Sequence, residues 1–206
     1  MSFESLLTFA LIVFFIAIIP GPNALLVLFT ALSNNKSRAF ANVAGVSCGF
    51  LIHAFISALG LSLLLSQSLI AFTLLKILGV FYLLYLGFTH FKAAYQLKKI
   101  EAPKSEAQKG LMNNFAKGLL TNLLNPKIIL FYLSIFPQFV SSSNILEDSL
   151  LLGAIQAIVV SFWFLIIILL SQYLKDFLSK AKNASFLNYF AGSVFVLFSY
   201  KLANSK

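Results

Sequence analysis

The sequence predicts an all-α polytopic membrane protein with six transmembrane helices. Three observations lead there: 60% of its 206 residues are hydrophobic, only 10% are charged, and the charges fall between long charge-free runs. A soluble domain carries about 25% charged residues and fewer than half apolar ones. A chain of this length has no interior large enough to hide so much Phe, Leu and Ile, whereas lipid accepts apolar faces without a protein partner. A formal charge of +9 would point to nucleic acid in a soluble chain. Here the basic residues lie between apolar runs, where anionic headgroups and membrane orientation account for them.

Each span follows from a charge-free stretch, since about 20 apolar residues cross about 30 Å of hydrocarbon. Ser5–Asn35 gives the first, as one long or broken helix. Leu6–Ile19 could pass for the core of a secretion signal. Met1-Ser2-Phe3-Glu4 carries no basic residue and several apolar runs follow, so the segment is read as a span. Ala39–Leu75 holds the second span, Ala39–Leu65, and the start of the third, Leu69–Thr89. The longest polar segment, Lys92–Asn114 with Pro103, is a connection. The fourth, fifth and sixth spans are Phe115–Phe139, Leu150–Tyr173 and Ala184–Leu202. Residues 1–206 thus form one transmembrane domain, with half one at 1–91, a cytoplasmic connection at 92–114 and half two at 115–206.

Eleven of the 15 basic residues fall on one side of this arrangement: Lys36, Arg38, Lys92, Lys98, Lys99, Lys104, Lys109, Lys117, Lys175, Lys180 and Lys182. The positive-inside rule makes that side cytoplasmic and leaves both termini outside.

Two features lie inside spans. The first span contains Pro20-Gly21-Pro22-Asn23 and the fourth contains Asn125-Pro126-Lys127. Proline removes an N–H and clashes with the preceding turn, so each site frees carbonyls and breaks its helix. In hydrocarbon the freed groups need protein or water partners. Prolines are also tolerated in membrane helices as simple bends. Two matched breaks, however, with three spans in each half, point to a 3+3 inverted repeat and to a midplane substrate site. Lys127 sits about halfway along its span, where an ammonium in lipid is costly. No Asp or Glu lies inside a span to pair with it. Its counterparts are then freed carbonyls around Asn125 or an anionic substrate group, unless its long stem carries the charge to the surface.

In the second span Ala41, Gly45, Gly49, His53 and Ser57 recur every four residues, a face that lets backbones approach. Gly79 and Gly87 in the third span read as close packing too. His53 either bonds across helices or exchanges protons near neutral pH. Tyr132 lies close enough along the helix to Lys127 to share its cavity. Cys48 is alone, so no disulfide forms within the chain and no Cys pair holds zinc. No metal site or cofactor is expected. Neither a phosphate-binding GxxxxGK[ST] loop nor a GxSxG or HExxH motif occurs, which argues against ATP hydrolysis and hydrolytic enzymes. The basic connection has no aromatic interleaving beyond Tyr95, unlike a nucleic-acid surface.

At these motifs the chain resembles the LysE/RhtB family of bacterial amino-acid exporters. The similarity runs through Ile19-Pro20-Gly21-Pro22-Asn23, then Arg38, Gly45 and Gly49, then Leu75-Lys76-Ile77-Leu78-Gly79 through Tyr85-Leu86-Gly87. It continues with Phe115, Gly118, Asn122, Asn125-Pro126-Lys127 and Phe131, and with Pro137-Gln138-Phe139. The resemblance implies secondary-active export of an amino acid or derivative across the bacterial inner membrane. The proton gradient or membrane potential would drive it, and the protein would be a homo-oligomer. Exporters of lysine and arginine in that family tend to carry an intramembrane aspartate near the second span, and none is present here. A neutral substrate of the homoserine, threonine or leucine kind is therefore expected, because an unpaired cationic side chain would be costly to desolvate. Its carboxylate would meet Lys127 and Asn125, with Asn23 adding polar contacts and His53 responding to protonation. The competing reading is a membrane scaffold or assembly protein, which would explain the spans but not the paired breaks.

Overall fold

The computed structural model describes the backbone of residues 1–19, 21–32, 36–67, 69–96 and 110–204. Side chains are described at all of these except 61–67, 69–76, 78, 79, 82, 83, 86, 175, 176, 178, 179, 181, 184, 191, 198, 201 and 202. Pro20 and residues 97–109 of the long connection lie outside the described residues. Every regular element among the described residues is helical: α1 (Phe3–Ile18), α2 (Pro22–Leu32), α3 (Lys36–Gln67), α4 (Leu69–Tyr95), α5 (Leu111–Leu123), α6 (Pro126–Ser134), a 3-10 turn (Phe136–Phe139), α7 (Ile145–Leu169), α8 (Ser171–Ser179) and α9 (Ala181–Ala203).

Local chemistry sets several ends. Ser2 caps α1, its side chain accepting from Ser5 N at 3.2 Å. Pro22 and Pro126 each open a helix at its first position, where the missing N–H has no intrahelical role. α7 begins five residues earlier than the fifth span expected from the sequence. Glu147 and Asp148 sit in its first turn, where carboxylates oppose the helix dipole and charge does not end a helix. Asp148 also ties the preceding loop, accepting from Ser141 N at 3.0 Å and Ser141 Oγ at 2.5 Å. At its other end α7 stops at Leu169, before the expected Tyr173, and α8 follows.

α3 is the hub of the bundle, packing against α5, α7 and α2, while α4 pairs with α9. Glycine makes the α3–α5 crossing possible: a Cβ on Gly45 would lie 2.0 Å from Phe115 O, and one on Gly118 2.1 Å from Asn42 O. Backbones meet there with no room for a side chain. Gly49 backs onto the Asn122 side chain in the same seam. Gly87 on α4 and Gly192 on α9 face one another similarly, each Cβ position approaching the other's carbonyl. Gly79 belongs to α4, but its surroundings are outside the described residues.

These contacts also fix directions. Gly45 of α3 meets Leu119 N of α5 and Gly49, one turn on, meets Asn122, so the two helices run parallel. α3 and α7 run antiparallel, with Ser47 Oγ 2.8 Å from Ser161 Oγ and Gly153 against Ala54. α4 and α9 are antiparallel as well, His90 Nδ1 meeting Asn188 Oδ1 at 2.8 Å and Ser185 Oγ donating to Ala94 O at 2.8 Å.

The outward faces are apolar. On α7, Ile158, Phe162, Leu165 and Leu169 are exposed, while Gln156, Val160, Phe164 and Ile167 on its other face are buried. A helix apolar all round with only one face against protein requires lipid on the rest. Among the described residues two helices are long and apolar enough to cross a bilayer alone, Lys36–Gly60 within α3 and Ile145–Leu169. The count rises to four when α1 with α2 and α5 with the segment to Phe139 are each taken as one bent span. The chain is thus an all-α, multi-pass membrane protein.

Candidate functional site

The site begins at the two breaks. α1 and α2 meet at 57°, and α5 meets the segment starting at Pro126 at 49°. At the first break Leu25 N bonds back to Gly21 O at 2.9 Å; at the second, Ile129 N bonds to Asn125 O at 3.0 Å. Gly21 and Asn125 therefore hold equivalent places before the two prolines. Asn125 caps α6 with its side chain, Oδ1 accepting from Lys127 N at 3.0 Å.

A helix end in lipid leaves orphan carbonyls. At the end of α1 they are met from across the bundle: Lys127 Nζ donates to Ile16 O at 3.1 Å and to Ile19 O at 3.2 Å. The ammonium thus spans from the second break to the first. Of the counterparts the sequence offers Lys127, freed carbonyls are the ones met among the described residues, and they belong to the first break and not to the surroundings of Asn125. Gly21 leaves the space for it, since a Cβ there would sit 3.1 Å from Nζ.

Around this contact lies a cavity of about 30 Å³. Its polar groups come from Gly21 and Asn23 of the α2 start, from Asn125 and Lys127 of the α6 start, and from Gln156 of α7. Asn23, Asn125 and Gln156 are buried, and Asn23 Oδ1, Asn125 Nδ2 and Gln156 Oε1 have no hydrogen-bond partner among the described residues. Three buried amides with unmet valence thus border one void, whereas buried polar groups are normally satisfied. The remaining walls are apolar: Val13 and Ala17 of α1, Phe50 of α3, and Val160 and Phe164 of α7. Acceptors and donors thus share one space, with the positive N-terminal ends of two half-helices beside them.

Of the residues singled out in the sequence, Asn23, Asn125, Lys127 and Gly21 meet at this cavity, with Pro22 and Pro126 starting the helices that carry them. His53 and Tyr132 do not line it. Their rings stack on each other at 5.0 Å, with Tyr132 Oη donating to Phe50 O at 2.8 Å and His53 Nε2 lying 3.5 Å from Asn122 O. Gln156 was not anticipated, although it is the only amide in the apolar run from Leu150 to Leu170. Among the described residues no group of three or more His, Cys, Asp or Glu is placed to hold a metal.

Broken helices enclosing a polar cavity within an apolar bundle define the architecture of a membrane translocator. Residues 14–206 match the LysE type translocator family, and the chain belongs to it. It is 31% identical over 205 residues to the uncharacterized membrane protein YrhP of Bacillus subtilis (strain 168), covering 96% of this chain and 98% of that one. It is 30% identical over 190 residues to the threonine efflux protein of Escherichia coli (strain K12), covering 91% of each. With the homoserine/homoserine lactone efflux protein of Salmonella typhi it shares 30% identity over 207 residues, covering 100% of this chain and 99% of the relative. No solved structure matches it significantly.

Proposed function

We propose that the protein exports a small, neutral amino acid or close derivative from the cytoplasm by secondary-active transport, with the cavity between the two breaks as its binding site. The carrying observation is the Lys127 ammonium resting on Ile16 O and Ile19 O beside Asn23 Oδ1 and Asn125 Nδ2, which have no partner among the described residues. A zwitterion brings an ammonium that needs acceptors and a carboxylate that needs donors, and this site holds both kinds. On substrate entry the ligand's ammonium takes the carbonyls and Asn23 Oδ1, while Lys127 and Asn125 Nδ2 turn to its carboxylate. The void holds about two waters and is too small for an amino acid. Its walls must therefore part, which supports alternating access. With no carboxylate among the cavity residues, a cationic side chain would be left unpaired. Relatives named for threonine and homoserine efflux agree with a neutral substrate.

The same reading takes the chain as six spans: the two bent pairs, α3, α4, α7 and α9. Pro22 and Pro126 lie 104 residues apart. The pairings α3–α7 and α4–α9 join elements that correspond between halves, which supports a 3+3 inverted repeat. The helix directions agree with both termini outside the bacterial inner membrane and the basic connections inside. The proton gradient or membrane potential is the proposed driving force and a homo-oligomer the proposed assembly. His53, away from the cavity, is left to join α3 to α5.

Counterflow in proteoliposomes tests the function. Protein loaded with unlabelled amino acid should accumulate labelled threonine, homoserine or leucine but not arginine. Absence of flux across the panel by folded protein would reject export.

A further inference from the structure

We propose that Gln156 reads the substrate's side chain and selects a hydroxyl on it; this rests on the cavity being an amino-acid site. The polar groups divide by origin. Lys127, Asn125, Asn23 and the α1 carbonyls all come from the two breaks, and together they supply what an α-ammonium and an α-carboxylate require. α7 contributes something different: Gln156, Val160 and Phe164, spaced by four residues along one face. That wall is apolar apart from one amide.

Gln156 is only 3% exposed and its Oε1 has no partner among the described residues. A buried amide in an apolar wall is costly unless a ligand or water completes it. An amide presents one acceptor and one donor group. A hydroxyl matches both, donating its O–H to Oε1 while its lone pair accepts from Nε2. A methyl group satisfies neither, and a charged side chain would bring a charge that nothing on α7's cavity face balances. A hydroxyl reaches the amide of Gln156 from the backbone groups held at the breaks only on a short side chain. The ligand class is therefore a short aliphatic amino acid carrying a β- or γ-hydroxyl. A site built to bond a hydroxyl discriminates strongly against the analogue lacking it, because its own polar atoms are then left unpaired.

The test is counterflow by equal amounts of folded protein using shape-matched pairs, threonine with valine and homoserine with norvaline. Wild type should favour the hydroxylated member of each pair by at least about tenfold. Gln156→Met, which keeps length without the amide, should bring both ratios close to one while norvaline flux persists. Gln156→Glu should gain 2,4-diaminobutyrate, whose side-chain ammonium reaches about where the hydroxyl lay. The inference is overturned if wild type shows no preference, if Gln156→Met leaves the ratios unchanged, or if it lowers all four fluxes in proportion. Proportional loss would assign Gln156 to the groups common to every amino acid. Should the Met variant fold poorly, the Glu variant decides: no gain of diaminobutyrate over wild type refutes the role. Wild type carrying nothing in the panel is a separate result that rejects export itself.

Discussion

The two helix breaks use one device with different support. Both place a proline at the first position of the second half-helix, and both turn by about the same angle. The second is self-sufficient, since Asn125 caps α6 through Lys127 N. The first has Gly21 where the second has Asn125, so no side chain caps α2 from that position, and the carbonyls closing α1 depend on a lysine from the other half. One break is thus closed by its own side chain, and the other by a contact from the opposite half. α5, which leads into the second break, is in turn anchored to α3 by backbone contact at Gly45 and Gly118.

Removing the bridge is the most damaging way to break this asymmetry. Lys127→Ala deletes a charge-assisted contact of about 1.5–3 kcal/mol, and export should fall about tenfold to a hundredfold with membrane insertion intact. Counterflow normalised to folded protein checks this, and full activity would reject the assigned role. Loosening the anchor comes next. Gly118→Ala forces a Cβ to within 2.1 Å of Asn42 O, backbone against backbone, and should cost about 1–3 kcal/mol by overpacking. Gly60→Ala, with nothing among the described residues within 4 Å of its Cβ position, should be neutral or slightly stabilising on helix propensity. Thermal unfolding in detergent compares the pair. Of the three damaging changes, the smallest effect on stability should come from the cap. Asn125→Ala should destabilise α6 by about 0.5–2 kcal/mol, and its added loss of export would measure what Nδ2 does for the ligand.

The helices were legible in the sequence because charge-free runs report lipid contact directly. Their ends were less so: Glu147 and Asp148 mark a polar boundary by composition, yet physically they favour the first turn of α7. Pro22, Pro126 and a mid-span Lys127 declared that polar groups must gather inside the bilayer, since each is costly without partners. Which partners they take is set by helix packing across more than 100 residues, and local pattern does not encode it. The acceptors at Ile16 and Ile19 are backbone atoms, which no side-chain motif marks. Tyr132 lay near Lys127 along the chain, but its ring turns toward α3 and stacks on His53. Gln156 left the one signal that went unread, a lone amide in the most apolar run.

Substrate protection at the cavity tests the central claim most directly. Ala24 lines the void from α2, so Ala24→Cys in a Cys48→Ser background places a single thiol beside the proposed ligand. Modification by a small, water-soluble thiol reagent should proceed in proteoliposomes and slow markedly when homoserine or threonine is added. Reaction only with a lipid-soluble reagent, unaffected by any amino acid, would place this surface against acyl chains and contradict the account.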